Sequence, residues 1–143
     1  MANLKVHYLS KTTEWETPQW LFDDLNAEFS LNMDVCATAE NAKRIHYYDK
    51  DDDGLSQFWA GKRCWMNPPY GREIGHWVKK AANGGAEIVV ALLPARTDTR
   101  WFHDYIYQEP NVEIRFLKGR LKFGGSKNSA PFPSMVVIFK QNV

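Results

Sequence analysis

The chain has 143 residues, a length that suits one folded domain with a hydrophobic core of its own. Apolar residues make up 44% of the chain and aromatic residues 14%, so the composition excludes a disordered protein. The formal net charge is only +1, yet acidic residues concentrate within residues 14–58 and basic residues from Arg96 onward.

The sequence contains no pattern typical of a membrane span, a disulfide framework or a metal site. No run of about 18 apolar residues is present. Cys36 and Cys64 fit a reducing compartment, and the four His residues are scattered along the chain. The N-terminus lacks the apolar run of a signal peptide, so we expect a cytoplasmic protein with no membrane partner.

The first half of the chain predicts a helix, two strands and several turns. Residues 1–13 are polar and expected to be loose, and residues 14–143 are expected to form one domain. Thr17-Pro18 combines a good N-cap with a good first helical residue, and apolar spacing continues this helix to about Ala27. The other elements predicted here are a strand over Phe29–Val35, a short helix over Ala37–Arg44, a helical turn over Leu55–Trp59 and a strand over Arg63–Met66.

The second half predicts helices and strands in alternation. Glu87–Leu93 is a continuous, β-branched apolar run, which is typical of a strand buried on both faces. The other predicted elements are helices over Glu73–Ala82 and Thr99–Tyr107, strands over Val112–Leu117 and Phe132–Phe139, and a continuation of the first of these strands over Lys118–Phe123. This order predicts an α/β fold with a mostly parallel sheet and a C-terminal antiparallel hairpin.

Three predicted strands end in residues that can build a binding site. Asp34, Asn67 and Pro94 each stand at the end of a strand. Ligands of open α/β sheets bind beyond the carboxyl ends of the strands. We therefore expect these three residues to line one rim of the sheet.

The tetrapeptide Asn67-Pro68-Pro69-Tyr70 carries the most specific chemical signal. The exocyclic amine of adenine is a poor nucleophile, because its lone pair is delocalised into the ring. Two acceptors, the Asn67 side-chain oxygen and the Pro68 carbonyl, can draw that nitrogen toward tetrahedral geometry. Pro69 holds the preceding carbonyl in an extended conformation, and Tyr70 offers a face on which an extruded base can stack. The alternative is a plain turn, since Asn-Pro commonly begins one.

With these motifs the sequence resembles the phage-type DNA N6-adenine methyltransferases, the Dam-like family. The resemblance runs from about Trp15 to Phe139. It rests on the order of Trp15-Glu16-Thr17-Pro18, Asp34-Val35-Cys36-Ala37, Asp53-Gly54-Leu55, Asn67-Pro68-Pro69-Tyr70, Leu93-Pro94-Ala95-Arg96-Thr97-Asp98-Thr99, Gly119-Arg120-Leu121-Lys122-Phe123 and Pro131-Phe132-Pro133-Ser134.

The resemblance implies a compact, trimmed Rossmann-like methyltransferase fold that binds S-adenosylmethionine and DNA. It implies direct in-line transfer of the methyl group to adenine N6 of a flipped base, with no metal. The residues that it implies for the cofactor are Trp15, Thr17, Pro18, Asp34, Cys36, Ala37, Asp53, Asn67 and Pro68. For Asp34 a helix cap, and for Asp53 an Asx turn, are the structural alternatives.

The sequence departs from the wider methyltransferase pattern after the first strand. The usual Gly-rich loop is absent, and only about 30 residues separate Asp34 from Asn67, too few for two complete strand–helix–strand units. We therefore expect the cofactor half of the fold to be trimmed. Completion of the site by a second chain in a homodimer is left open.

Basic residues of the C-terminal half are candidates for the DNA backbone. These are Arg96, Arg100, Arg120, Lys122 and Lys127. An Arg96–Asp98 ion pair is the alternative for the first of them. Other amino-methyltransferase substrates (RNA, cytosine N4 or a protein glutamine) and a catalytically dead nucleic-acid-binding module are the rival functions.

Overall fold

A computed structural model describes residues 15–124 and 128–141 of the chain. The segment 1–13, expected to be loose, and Lys127, expected to bind DNA, lie outside these ranges. The helices are α1 (Gln19–Phe29), α2 (Ile74–Asn83) and α3 (Arg100–Tyr105), with one 3₁₀ turn at Gly54–Ser56. The strands are β1 (Met33–Asp34), β2 (Arg63–Met66), β3 (Ile88–Pro94), β4 (Val112–Phe116) and β5 (Ser134–Lys140).

The strands form one five-stranded sheet in the order β1-β2-β3-β5-β4. β1, β2 and β3 pair in parallel, whereas β5 pairs antiparallel with both β3 and β4. Among these strands β5 alone therefore runs against the others. The α/β prediction is confirmed, and so is the antiparallel pairing of the last two strands.

The two central strands form the core of the sheet because both of their faces are covered. Every residue of β3 is buried, as its continuous apolar run predicts, and β5 is buried from Ser134 to Phe139. On one face, Phe22 of α1 packs edge-on against Trp65 of β2, with ring centroids 5.4 Å apart. A rigid sheet centre thus fixes the positions at which the neighbouring strands end.

Two arginines, one on β2 and one on β4, bind the C-terminal end of α1. Arg63 of β2 donates from Nε to the main-chain oxygens of Phe29 and Ser30, at 2.8 and 3.1 Å. Arg115 of β4 forms two hydrogen bonds with the Glu28 carboxylate, at 2.7 and 2.6 Å, and lies over the Phe29 ring. The bonds to main-chain oxygens satisfy carbonyls that the end of a helix leaves without partners.

The predicted helix over Ala37–Arg44 is wrong, because side chains there bind the backbone in place of helical partners. Asp34 accepts hydrogen bonds from the main-chain N–H groups of Cys36 and Lys43, at 3.3 and 3.0 Å. Thr38 and Asn41 each accept the main-chain N–H of the other through their side chains. Such local bonds compete with helix formation.

Three predicted element boundaries also need correction. The strand expected over Phe29–Val35 shrinks to β1, because α1 continues to Phe29 and ends at Ser30 in a left-handed conformation (φ 53°). The extension over Lys118–Phe123 is not a strand, since Gly119 turns the chain with φ 74°. Thr17 does not cap α1: the helix begins at Gln19 without a side-chain cap.

Gly54 provides a test of how the 3₁₀ turn packs between α2 and the residue that follows β1. A Cβ atom on Gly54 would lie 2.2 Å from the main-chain oxygen of Val35 and 3.0 Å from the Trp77 ring, so the backbone must shift. We expect Gly54→Ala to lower the free energy of unfolding by about 1–3 kcal/mol, measured by urea denaturation. Gly75→Ala is the control, because its Cβ would meet Trp101 at an ordinary 3.8 Å within a helix. A Gly54→Ala variant as stable as the wild type would contradict this packing.

Candidate functional site

A cleft of about 540 Å³ lies beyond the carboxyl ends of β1 and β2. Its volume falls within the usual range for small-molecule sites. The walls come from the segment before α1, the turn after β1, the acidic loop 47–53, the 3₁₀ turn and the loop after β2. The cleft-lining residues are Trp15, Glu16, Thr17, Asp34, Val35, Cys36, Ala37, Thr38, Asn41, Lys43, Tyr48, Asp49, Lys50, Asp53, Gly54, Leu55, Trp65, Asn67, Pro68, Pro69, Glu73 and Trp77.

Asn67 lies in the cleft wall with one end of its side-chain amide engaged and the other end without a partner. Its Nδ2 donates to the main-chain oxygen of Trp15 and to Oγ1 of Thr17, the latter at 2.9 Å. Its Oδ1 is buried and accepts no hydrogen bond in the described chain. A buried acceptor without a partner costs about 1–3 kcal/mol, which a ligand with an N–H group can recover.

Tyr70 is buried in the core, unlike the two prolines that precede it in the sequence. Pro68 and Pro69 line the cleft, whereas Tyr70 does not. The Tyr70 ring is 4% exposed, its hydroxyl donates to the main-chain oxygen of Leu92 at 2.9 Å, and burial raises its pKa. Stacking of this ring on a base would therefore require a rearrangement of the core around it.

Asp34 organises the turn after β1 and also faces the cleft. It is 2% exposed, and its two carboxylate oxygens accept the main-chain N–H groups of Cys36 and Lys43. Burial raises its pKa to about 6, against the opposing effect of these two hydrogen bonds. Asp34 therefore shapes the cleft wall through the backbone, whatever ligand the cleft binds.

Asp53 has an unusual backbone conformation directly before the 3₁₀ turn. Its φ is 55°, which non-glycine residues adopt uncommonly and which is concentrated at functional sites. Its main-chain oxygen accepts the N–H and hydroxyl of Ser56, and its side chain makes no hydrogen bond within the described residues. The Asx-turn alternative is therefore absent, and the carboxylate is available at the cleft.

The other residues expected to bind the cofactor are mostly brought together here. Trp15, Thr17, Cys36 and Ala37 line the same cleft. Pro18 is buried at the start of α1, where its main-chain oxygen accepts the N–H groups of Leu21 and Phe22, and it is not part of the lining.

Comparison with known proteins identifies the family. A model of the DNA N-6-adenine-methyltransferase (Dam) family matches residues 7–142. The chain is also 27% identical, over 135 residues, to a DNA N-6-adenine-methyltransferase of Haemophilus phage HP1, covering 88% of this chain and 78% of that protein. The chain belongs to the Dam family. The resemblance predicted from the sequence is thereby confirmed.

The turn after β1 is built around the Asp34 side chain. Methyltransferases usually place a Gly-rich loop at this point, and here the loop 36–43 instead wraps around the Asp34 carboxylate. Tyr48 lies beside it, because its N–H donates to the Asp34 main-chain oxygen and its own oxygen accepts the N–H of Ala37. This pairing brings Tyr48, Asp49 and Lys50 into the cleft wall.

Sequence reasoning missed several polar residues of the cleft. Glu16 belongs to the motif Trp15-Glu16-Thr17-Pro18 and Glu73 follows Asn67-Pro68-Pro69-Tyr70 by three residues, and this closeness to the motifs was the available signal. Lys43, Asp49 and Lys50 carry no such signal. The hydrogen bond from the Lys43 N–H to Asp34 brings Lys43 to the cleft, and the pairing of residues 46–48 with β1 brings Asp49 and Lys50 there. Asp49 and Asp52 stabilise their own turn by accepting each other's main-chain N–H.

The arginines expected to contact DNA lie at the surface. Arg96, Arg100, Arg120 and Lys122 are exposed, and none of them forms an ion pair within the described ranges. The Arg96–Asp98 pair is therefore not formed. The charge of Arg96 acts to lower the pKa of Tyr70 against the larger effect of burial.

Other possible chemistry finds little support among residues 15–124 and 128–141. Burial raises the pKa of the Cys64 thiol to about 12, so it is not an activated nucleophile. Within these residues no group of three or more His, Cys, Asp or Glu side chains could hold a metal ion. The helices described are all too short or too polar to cross a membrane.

Asp34 gives the site a testable pH dependence. An aspartate with its pKa raised to about 6 in the folded protein favours folding when protonated, so the free energy of unfolding falls as pH rises from about 4 to 6 and is level above that. We expect this contribution, about 3 kcal/mol, to be absent from Asp34→Asn in urea denaturation across pH 4–8. Asp51→Asn, which removes an exposed carboxylate, is the control. Identical pH profiles for Asp34→Asn and wild type would contradict the raised pKa.

Proposed function

We propose that the chain transfers a methyl group from S-adenosylmethionine to N6 of adenine in DNA. The observation that carries this proposal is the buried Oδ1 of Asn67, an acceptor without a partner in the wall of the cleft. Family membership supports the same reaction.

The chemistry of the target amine explains why such an acceptor is needed. The lone pair of the adenine amine is delocalised into the ring, and it becomes available only as the nitrogen turns toward tetrahedral geometry. Asn67 Oδ1 accepts one N–H of the amine, and we assign the second N–H to the main-chain oxygen of Pro68. Both acceptors are fixed before the substrate arrives, and preorganised acceptors stabilise a transition state most effectively.

The residues of the cleft fit S-adenosylmethionine. This ligand carries a positive sulfonium, an ammonium group and ribose hydroxyls, all of which favour carboxylate partners. Glu16, Asp49 and Asp53 present carboxylates in the wall, and Asp53 has no competing side-chain bond. Lys43, whose ammonium also donates to the Gln19 side-chain oxygen at 2.9 Å, and Lys50 supply positive charge in the wall for the ligand's carboxylate.

Within this site each residue has a distinct task. When bound, S-adenosylmethionine would supply a sulfonium-activated methyl group for direct in-line transfer: the S–CH3 bond breaks as the N6–CH3 bond forms, S-adenosylhomocysteine leaves, and the amine loses one proton to solvent. Trp15, Thr17 and Pro68 line the cleft where the segment before α1 meets the loop after β2. Asp34, Cys36 and Ala37 form the part of the wall that follows β1, and no residue of the chain needs to form a covalent bond with the substrate.

The distribution of charge indicates the side from which DNA approaches. The loop 47–53 is acidic and repels phosphates, whereas Arg96, Arg100, Arg120 and Lys122 are exposed and unpaired in the described chain. A target base must leave the duplex to reach the cleft. We infer that DNA lies on the side of the loops that follow β3 and β4.

Product analysis tests the proposed reaction. We expect the purified protein to produce N6-methyladenine in unmethylated DNA, and Asn67→Ala to lower the rate by about 100-fold or more, since one preorganised polar partner contributes on this scale. The measurement is mass spectrometry of the nucleosides after digestion. Asn83→Ala is the matched control, because Asn83 ends α2 outside the cleft lining.

Each alternative product has a defined meaning. N4-methylcytosine would keep the role of Asn67 and change the base. Methyl transfer to RNA or to a protein glutamine, with none to DNA, would contradict the DNA substrate. Absence of both methyl transfer and cofactor binding would favour a catalytically dead binding module.

The salt dependence of DNA binding tests the basic surface. Each lysine or arginine that neutralises a phosphate contributes about one unit to the slope of log K against log salt concentration. We therefore expect Arg96→Ala and Arg120→Ala each to reduce this slope by about one, measured by fluorescence anisotropy. Lys140→Ala is the control, because Lys140 pairs with Ile88 at the opposite end of the sheet. An unchanged slope in both arginine variants would remove these residues from the DNA interface.

A further inference from the structure

The side-chain amide of Asn67 is held by two oxygen atoms of the segment before α1. Its Nδ2 donates to the main-chain oxygen of Trp15 and to Oγ1 of Thr17, at 2.9 Å for the latter. A main-chain oxygen can only accept, so it would repel Oδ1 in the flipped orientation. The amide therefore has one favourable orientation, in which Oδ1 is the end without a protein partner.

Thr17 is available for this contact because it does not cap the helix beside it. A threonine before a helical proline ordinarily accepts a main-chain N–H of the first turn. Here α1 begins two residues later without a side-chain cap, and Thr17 is only 3% exposed. The hydroxyl is thus directed to Asn67.

The segment that carries both oxygens is fixed from its other side. The Trp15 ring packs against Phe123 and Phe132, with centroids 5.3 and 5.2 Å apart. The main-chain oxygen of Glu16 accepts the N–H of Gly124 at 2.9 Å. These contacts hold the Trp15 main-chain oxygen in place against the loop after β2.

We propose that Thr17 is a positioning residue that, together with the Trp15 main-chain oxygen, sets the amide orientation of Asn67. Its hydroxyl oxygen accepts the hydrogen bond from Asn67 Nδ2, so that Oδ1 is left to accept an N–H of the substrate amine. The part of this inference that concerns catalysis rests on the proposed function. The orientation itself rests only on the hydrogen bonds of the chain.

Two substitutions at position 17 separate the hydroxyl from the shape of the side chain. Thr17→Val keeps the shape and removes the acceptor, whereas Thr17→Ser keeps the hydroxyl. At saturating S-adenosylmethionine, we expect the single-turnover rate of DNA methylation to fall about 10-fold in Thr17→Val and to stay within about 3-fold in Thr17→Ser. Circular dichroism and thermal unfolding check that both variants fold.

A double-mutant cycle with Asn67→Ala tests whether Thr17 acts through Asn67. If it does, Thr17→Val has little further effect, about 2-fold or less, once the amide is gone. An equal loss in the wild-type and Asn67→Ala backgrounds would overturn the proposal, because Thr17 would then act directly on the cofactor or on the fold.

Nuclear magnetic resonance of the side-chain amides tests the orientation without any catalysis. The Asn67 signal is assigned by its loss in Asn67→Ala. We expect Thr17→Val, and not Thr17→Ser, to shift one Asn67 amide proton and to speed its exchange with solvent about 10-fold. An unchanged signal in Thr17→Val would overturn the proposal. If the wild type transfers no methyl group but the shift is seen, the proposed function fails and the positioning role of Thr17 stands.

Discussion

The site depends on the hydrogen bonds that fix the Asn67 amide. Those bonds connect the loop after β2 to the segment before α1, so that two parts of the chain about 50 residues apart form one wall of the cleft. The aromatic packing of Trp15 extends this connection to the loop that precedes β5. Asn67 therefore keeps a buried Oδ1 without a protein partner in the cleft wall, because residues far away in the sequence accept hydrogen bonds from its Nδ2.

The sheet fixes the positions of the strand ends that carry the cleft residues. β1 and β2 are parallel neighbours, so their carboxyl ends bring Asp34 and Asn67 to the same edge. The buried β3 and β5 keep that edge rigid. A small protein can thus build a cleft with little more than the loops that follow two strands.

Much of this could be predicted from the sequence where the signal is local. The apolar run Glu87–Leu93 indicates a buried strand, and Asn67-Pro68-Pro69-Tyr70 indicates acceptors for an amine. The turn after β1 could not be predicted, because the Asp34 carboxylate accepts the main-chain N–H groups of Cys36 and Lys43, and these local bonds override the helical pattern of residues 37–44. Likewise, Thr17 has the sequence of an N-cap, and only the fold brings Asn67 to its hydroxyl.

The central claim is that Asn67 Oδ1 accepts the amine that is methylated. A crystal structure of the protein with S-adenosylhomocysteine and an adenine-containing DNA substrate tests it most directly. We expect the adenine amine nitrogen to lie about 3 Å from Asn67 Oδ1, with Nδ2 still bound to Thr17. A base held elsewhere, or an amine facing Asn67 Nδ2 after a flip of the amide, would contradict the account.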